Sequence, residues 1–292
     1  MRGLVRSGEG VWRAAMALFT GLLAFLALYP ILYTFSMSLS APVAVMKKEV
    51  WLLPIGFSLN SYKLVFRDAT IWQAYFNTVW YTLVGTAISM TLTMIAAYPL
   101  TRKTFFLRKP MLFMIVFTLF FSGGLVPLFI LVSRLGLYDT RWAMVLPYAI
   151  SAWFVLVART YLSGIPESLM ESARIDGANE IRILWRIILP LSGPIIATLT
   201  LFSAVDRWND YFSALIFLQS ADKYPLQIFL MRTLILLSQQ FAQGINVGIE
   251  RSTALEQFKY AAIMVSVLPI LFVYPFLQRF FVQGVLIGGI KE

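Results

Sequence analysis

Residues 73–100 read QAYFNTVWYTLVGTAISMTLTMIAAYPL, and not one of them is Asp, Glu, Lys or Arg. A helix needs about 20 such residues to cross the ~30 Å of hydrocarbon in a bilayer. The stretch therefore has the length and composition of a membrane span. The runs 14–35, 111–133, 143–158, 187–205 and 260–278 are equally free of charge. Backbone polar groups find no water inside lipid, which demands helices or a closed barrel, and the alternating pattern of a barrel is missing. The fold class is therefore all-α, a polytopic membrane protein with about six transmembrane helices, and residues 1–292 are expected to form a single membrane domain.

Composition agrees. Of the 292 residues 59% are hydrophobic and 13% charged, with a mean hydropathy of +0.77, whereas soluble domains are about 25% charged. Cysteine and histidine are absent, which removes disulfides, thiolate nucleophiles and imidazole metal ligands. The formal charge of +10 suits basic cytoplasmic loops better than a nucleic-acid partner. Basic residues crowd the links on one side of the expected bundle: Arg2, Arg6 and Arg13; Arg102, Lys103, Arg108 and Lys109; Arg159, Arg174, Arg182 and Arg186; Arg279 and Lys291. The positive-inside bias makes those links, and both termini, cytoplasmic. The segment Met1 to Arg13 precedes an apolar run too long for a signal peptide, so it is expected to stay with the first span.

Three connections are long. Residues 36–72 read as an outer loop. In 206–259 the stretch Tyr224 to Phe241 reads as a helix at the outer membrane interface, with a seventh crossing as the alternative, because Arg232 interrupts it. The third, Ser163 to Pro194, carries the chemistry. Pro166 suits the first turn of a helix over 166–175, with Glu167 at its positive end. Ile165, Leu169 and Ala173 form a small apolar edge, and Glu167, Glu171 and Arg174 share the neighbouring face. Gly177 permits a turn at positive φ, and Asn179 can cap a second helix running into the fifth span. This helix–turn–helix suits a docking surface; an ordinary amphipathic loop would have the same pattern.

The string Glu171-Ser172-Ala173-Arg174-Ile175-Asp176-Gly177-Ala178, followed by Ile188-Leu189-Pro190, resembles the conserved loop of permease subunits in binding-protein-dependent ABC importers, with Ser172 in place of an alanine. Asn60 to Phe66, Ala96 to Arg102, Leu135 to Thr140, Trp142 to Pro147 and Trp208-Asn209-Asp210-Tyr211 are similar to the carbohydrate branch, including the maltose-type second permease. Ser122 to Pro127 is similar to a subset that handles alginate-like or pectin-derived oligosaccharides. The resemblance implies a type I importer permease core over 73–278, with a cytoplasmic coupling loop over 159–186. It also implies a homologous permease partner, two ATPase subunits, an extracytoplasmic solute-binding protein and a home in the bacterial inner membrane. On matching motif positions, Glu171, Ser172, Ala173, Arg174, Asp176, Gly177 and Ala178 would meet the ATPase. No Gly-x4-Gly-Lys-Ser/Thr string occurs, so the chain is expected to bind no nucleotide; ATP and Mg would sit on the partners.

A sugar path needs hydroxyl and amide groups with aromatic faces. Thr78, Thr82, Thr86, Ser89 and Thr93 line one stripe of the second span, with Asn77, Trp80 and Tyr81 at its end. Small hydroxyl residues at this spacing also glue helices together. The path candidates are Asn77, Trp80, Tyr81, Thr82, Trp208, Asn209 and Tyr211. A secondary transporter would place acids in its spans, and the six runs contain none. A membrane hydrolase would need reacting groups that are not seen. Pro190 and Pro194 are expected to bend the helix between docking loop and fifth span.

Overall fold

The computed structural model describes residues 2–242 and 257–272. Its helices are α1 (Arg2–Leu39), α2 (Pro42–Met46), α3 (Asn60–Arg67), α4 (Ala69–Ala97), α5 (Arg108–Phe120), α6 (Leu125–Arg134), α7 (Ala152–Leu162) and α8 (Glu167–Ile175). There follow α9 (Glu180–Leu191), α10 (Gly193–Trp208), α11 (Phe212–Phe217), α12 (Leu226–Ala242) and α13 (Gln257–Phe272). The described residues contain no strand. Residues 273–278 of the expected sixth span, and Arg279 and Lys291, lie outside the described residues. The described residues group into two compact units, 2–69 with 230–242 and 257–268, and 70–229 with 269–272.

In the first unit, Trp12–Leu39 of α1 has a mean hydropathy of 2.1, and none of its most apolar window is buried. A helix that is apolar all round and uncovered is suited to lipid. The expected outer loop 36–72 is more ordered than its composition suggests. α1 runs on to Leu39, α2 and α3 follow, and the fully buried Gln257 holds the segment together. Its Nε2 donates to the carbonyl of Ser40 at 2.5 Å and its Oε1 accepts from the Ser61 hydroxyl at 2.7 Å. A buried amide satisfied on both sides fixes a loop where apolar contacts are few.

In the second unit, α4 turns its small polar residues inward and its large apolar ones outward. Thr78, Thr86, Ser89 and Thr93 are buried, while Leu83, Leu92 and Ile95 are exposed. This inversion of the soluble pattern is what lipid on one side and protein on the other require. The hydroxyl stripe acts in packing: Thr78 Oγ1 accepts from the Leu226 N–H at 2.8 Å, and the Ser203 hydroxyl donates to Thr86 Oγ1 at 3.4 Å.

Three of the runs expected as spans are interrupted. Run 111–133 breaks between α5 and α6 with a bend of 114°. Gly124 sits there at φ +82, a conformation open to glycine, and Pro127 in the next turn needs no donor. In run 143–158 only α7 is a regular α-helix. Pro147 removes a donor, the Ser151 hydroxyl accepts from the Phe154 N–H to start α7, and the preceding Ala143, Met144, Val145 and Ala149 are buried in protein. Irregular backbone at membrane depth survives under such cover. Run 187–205 bends by 80° between α9 and α10. The expected bend between the two prolines is thus present, at Ser192, and a π-helical turn over Leu184–Ile188 precedes it. The stretch expected as an interfacial helix from Tyr224 is helical as α12.

At one end of α4 a clamp lies outside the apolar helices. Asp139, at φ 55, accepts from the backbone N–H groups of Gln219 (3.0 Å) and Ser220 (2.9 Å), from the Ser220 hydroxyl, and from Lys223 Nζ at 2.9 Å. The Ser220 hydroxyl first, then the Ser220 N–H and the Lys223 ammonium, outweigh desolvation and hold its carboxyl well below the usual range. A depressed folded-state value means stability that is complete above the unfolded value of about 3.9 and is lost as pH falls through the folded one. Asp139→Asn, which keeps the residue's tolerance of positive φ, should lower stability by about 2 kcal/mol at neutral pH. In thermal melts of the purified protein the gap from wild type should be flat from neutral pH down to about 4 and shrink below it. A gap that varies between pH 6 and 8 would contradict this account.

Candidate functional site

The loop from Ser163 to Pro194 is built as its residues dictate. Pro166 caps α8, Glu167 occupies the first turn and Arg174 the last. The helix stops in a Schellman turn: Gly177, at φ +78, donates to the Arg174 carbonyl at 3.0 Å, and the Ala178 N–H donates to the Ala173 carbonyl at 2.9 Å. The Asn179 side chain then accepts from the Arg182 N–H at 2.8 Å and starts α9.

The apolar edge expected on α8 is buried through Ile165 and Ala173 but not through Leu169, and Met170 takes the central place. Met170, 2% exposed, enters a cluster with Leu162, Ile183, Leu184 and Ile188, and Ile165, Ala173 and Ala178 pack around it, whereas Leu169 is 45% exposed. The flexible methionine reaches a gap between α7 and α9, and that gap, not the four-residue spacing of apolar residues, sets the rotation of the helix. Arg174 likewise turns from Glu167 and Glu171 to Glu180, with Nε and a terminal nitrogen both 2.9 Å from Oε1. Tyr98, just beyond α4, donates its hydroxyl to Glu180 Oε2 at 2.6 Å, and the Arg102 guanidinium lies 4.4 Å from the Tyr98 ring centroid. Glu171, Ser172, Asp176 and Gly177 stay exposed. Around these acids lie uncovered apolar side chains, among them Ile175 at 86% and Ile181 at 69% exposure. Such a mixture is what a protein partner covers.

Along the last two turns of α10 lies a cavity of about 730 Å³. Tyr148, Trp153, Phe202 and Phe212 give it aromatic faces, while Ser89, Ser151 and Ser203 give it hydroxyls. Asp206, Arg207 and Asp210 bring charge. One Arg207 terminal nitrogen donates to the Tyr148 carbonyl at 2.9 Å and the other to the Met144 carbonyl at 3.3 Å. The guanidinium rests on Gly85 of α4, where a Cβ would come within 2.4 Å of a terminal nitrogen.

Of the seven path candidates, Asn209 lines this cavity. Asn77 is fully buried, donating to the carbonyls of Asp222 (2.7 Å) and Tyr224 (3.1 Å) and accepting from Arg141 at 3.1 Å. Tyr81 donates to the Lys223 carbonyl at 2.8 Å, and Trp80 stacks edge-on against Trp142. The Thr82 hydroxyl is buried, Trp208 meets Tyr75 edge-on, and Tyr211 is 45% exposed beside Phe212. The sequence candidates leave out Asp206 and Arg207, which lie just past the uncharged run 187–205, and Asp210, which the 208–211 motif contains. Two carboxylates four residues apart around an arginine, at the mouth of an apolar helix, were the signal.

A family model described as "Binding-protein-dependent transport system inner membrane component" matches residues 89–287. The polygalacturonan/rhamnogalacturonan transport system permease protein YtcP of Bacillus subtilis (strain 168) is 38% identical over 92% of this chain and 94% of its own. Protein LplC of the same organism is 38% identical over 94% of this chain and 92% of its own. Among solved structures, a chain in a bacterial ABC transporter involved in the import of the acidic polysaccharide alginate superposes with a TM-score of 0.86 at 36% identity. It covers 94% of this chain and 98% of that one.

Proposed function

Because the chain belongs to the binding-protein-dependent transport system inner membrane component family, and is a multi-pass permease subunit of a sugar or oligosaccharide ABC importer with the type I fold, we propose how its two sites divide the work. The docking loop receives a partner ATPase, where ATP and Mg are bound and hydrolysed, and the cavity forms one wall of the sugar path between this chain and a homologous permease. The Tyr98 end of α4, with the loop and the ends of this sequence, faces the bacterial cytoplasm, as the basic links favour. The Asn77 end faces a solute-binding protein.

The observation that carries the proposal is the bent pair α9–α10. The docking turn leads directly into α9, and α10, whose 16 residues rise roughly 24 Å, carries Asp206 and Arg207 at its far end. A displacement of α8 is thereby delivered to the cavity through one covalent lever. Glu171 and Asp176 would supply hydrogen-bonding anchors, and Ser172, Ala173, Gly177 and Ala178 the close approach.

The substrate is an acidic oligosaccharide, a class supported by the relatives that handle polygalacturonan and alginate. On this wall aromatic rings cover the apolar faces of pyranose units and the two carboxylates accept from sugar hydroxyls. Arg207 is the cation of the lining, so the partner permease would neutralise the remaining substrate charge. Purification of the assembled importer followed by an ATP-hydrolysis screen tests this. Oligogalacturonides or alginate oligosaccharides should stimulate turnover and neutral maltodextrins should not; stimulation by the neutral sugars alone would refute the acidic class.

A further inference from the structure

The start of α5 inverts the usual electrostatics of a helix. Arg108 and Lys109 open it, no acidic residue occupies its first turn, and no side chain caps it. The N-terminal end of a helix carries partial positive charge and favours an anion. Another cation converges here. Arg108 Nε donates to the Leu100 carbonyl at 3.1 Å, and Arg159 Nε, from α7, donates to the same carbonyl at 3.4 Å. Two half-buried guanidinium groups thus share one neutral acceptor, and neither makes an ion pair among the described residues. Lys103 and Lys109 are exposed at the rim. Arg102 is 9% exposed and its Nε is buried without a partner. The nearby Glu180 is already engaged by Arg174 and Tyr98.

The surroundings say what kind of anion fits. Phe106 is 84% exposed and Leu107 40%, immediately before α5, and the helix continues with Phe113 at 71% and Phe120 at 78%. A basic end on an apolar, uncovered helix lies where headgroups meet acyl chains.

We propose that the basic face where the Leu100 turn, the first turn of α5 and α7 meet is a binding site for an anionic phospholipid. Its phosphate bridges Arg108 and Arg159, Lys103 and Lys109 attract it, and its chains run along the phenylalanines of α5. The lipid supplies the negative charge that the protein omits, and it ties α5 to α7 beside the docking loop. This does not depend on which sugar is carried.

The test is native mass spectrometry of the assembled importer taken from membranes of phosphatidylcholine with phosphatidylglycerol, counting retained phosphatidylglycerol. Arg108→Gln with Arg159→Gln should lower its retention roughly thirtyfold, from about a kcal/mol per basic residue near the surface, and Arg108→Lys with Arg159→Lys should keep most of it. Should the glutamine pair fail to assemble, Lys103→Gln with Lys109→Gln, both on the surface, should still lower retention several-fold. Wild-type retention in either glutamine pair overturns the site. Displacement by equimolar inorganic phosphate would assign it to a free anion and overturn the lipid. A glutamine variant that sheds its ATPases but keeps its phosphatidylglycerol would assign the patch to a protein contact and do the same.

Discussion

Gly177→Asp should leave the chain inserted and its cavity formed while abolishing sugar-stimulated ATP hydrolysis by the assembled importer. The reason lies in how little the chain itself resists the change. Nothing lies within 4 Å of a Cβ built on Gly177, so the internal cost is that of a side chain at φ +78, about 1–2 kcal/mol, and aspartate is among the residues that tolerate this region best. The Schellman bonds involve backbone alone and can persist. What changes is the outer surface, which acquires a carboxylate beside Asp176 where, on the proposed docking, the partner's backbone or side chains would come close. Gly177→Ala carries the conformational cost without the charge and should retain part of the activity. Insertion is checked by membrane fractionation, assembly by co-purification and coupling by ATPase assays in liposomes. Normal uptake with normal stimulation in the aspartate variant would remove the docking role.

The docking turn could be read because its signals are local. Pro166, Gly177 and Asn179 each fix a backbone conformation within a few residues, and the structure uses them at the expected positions. What escaped was governed by distant contacts. Met170 points inward because α7 and α9 leave a gap for it, and no periodicity in α8 encodes that gap. The run 143–158 has the composition of a span, yet its first half is irregular backbone in which Ala143, Met144, Val145 and Ala149 are buried in protein. Freedom from charge reports absence of water, not presence of lipid. The cavity draws on Ser89, on the stretch from Met144 to Phe154 and on that from Phe202 to Ser213, three segments that only the folded chain brings together. Arg207 lies just past the uncharged run 187–205, and a helix lining a polar cavity can carry charge on its last turn.

Gly85→Ala tests that cavity, and its effect on transport should far exceed its effect on folding. A Cβ at this position would sit 2.4 Å from a terminal nitrogen of Arg207 and 2.6 Å from Cζ, closer than atoms can approach. The intruded group is the end of a flexible side chain, so α4 need not move, and alanine's better helix propensity, about 1 kcal/mol over glycine, offsets part of any strain. The guanidinium must instead leave the carbonyls of Tyr148 and Met144. Bonds from a charged donor contribute about 1.5–3 kcal/mol each where water cannot replace them; in an open cavity water restores much of this. What is not restored is the direction of the fork. The concentration of oligogalacturonide or alginate oligosaccharide needed for half-maximal ATPase stimulation should therefore rise about tenfold, equivalent to ~1.4 kcal/mol, with the melting temperature of the complex nearly unchanged. In an Arg207→Ala background Gly85→Ala should add almost nothing, because both changes remove the same placement. Equal losses in both backgrounds would show that Gly85 acts through helix packing and that Arg207 does not read the substrate.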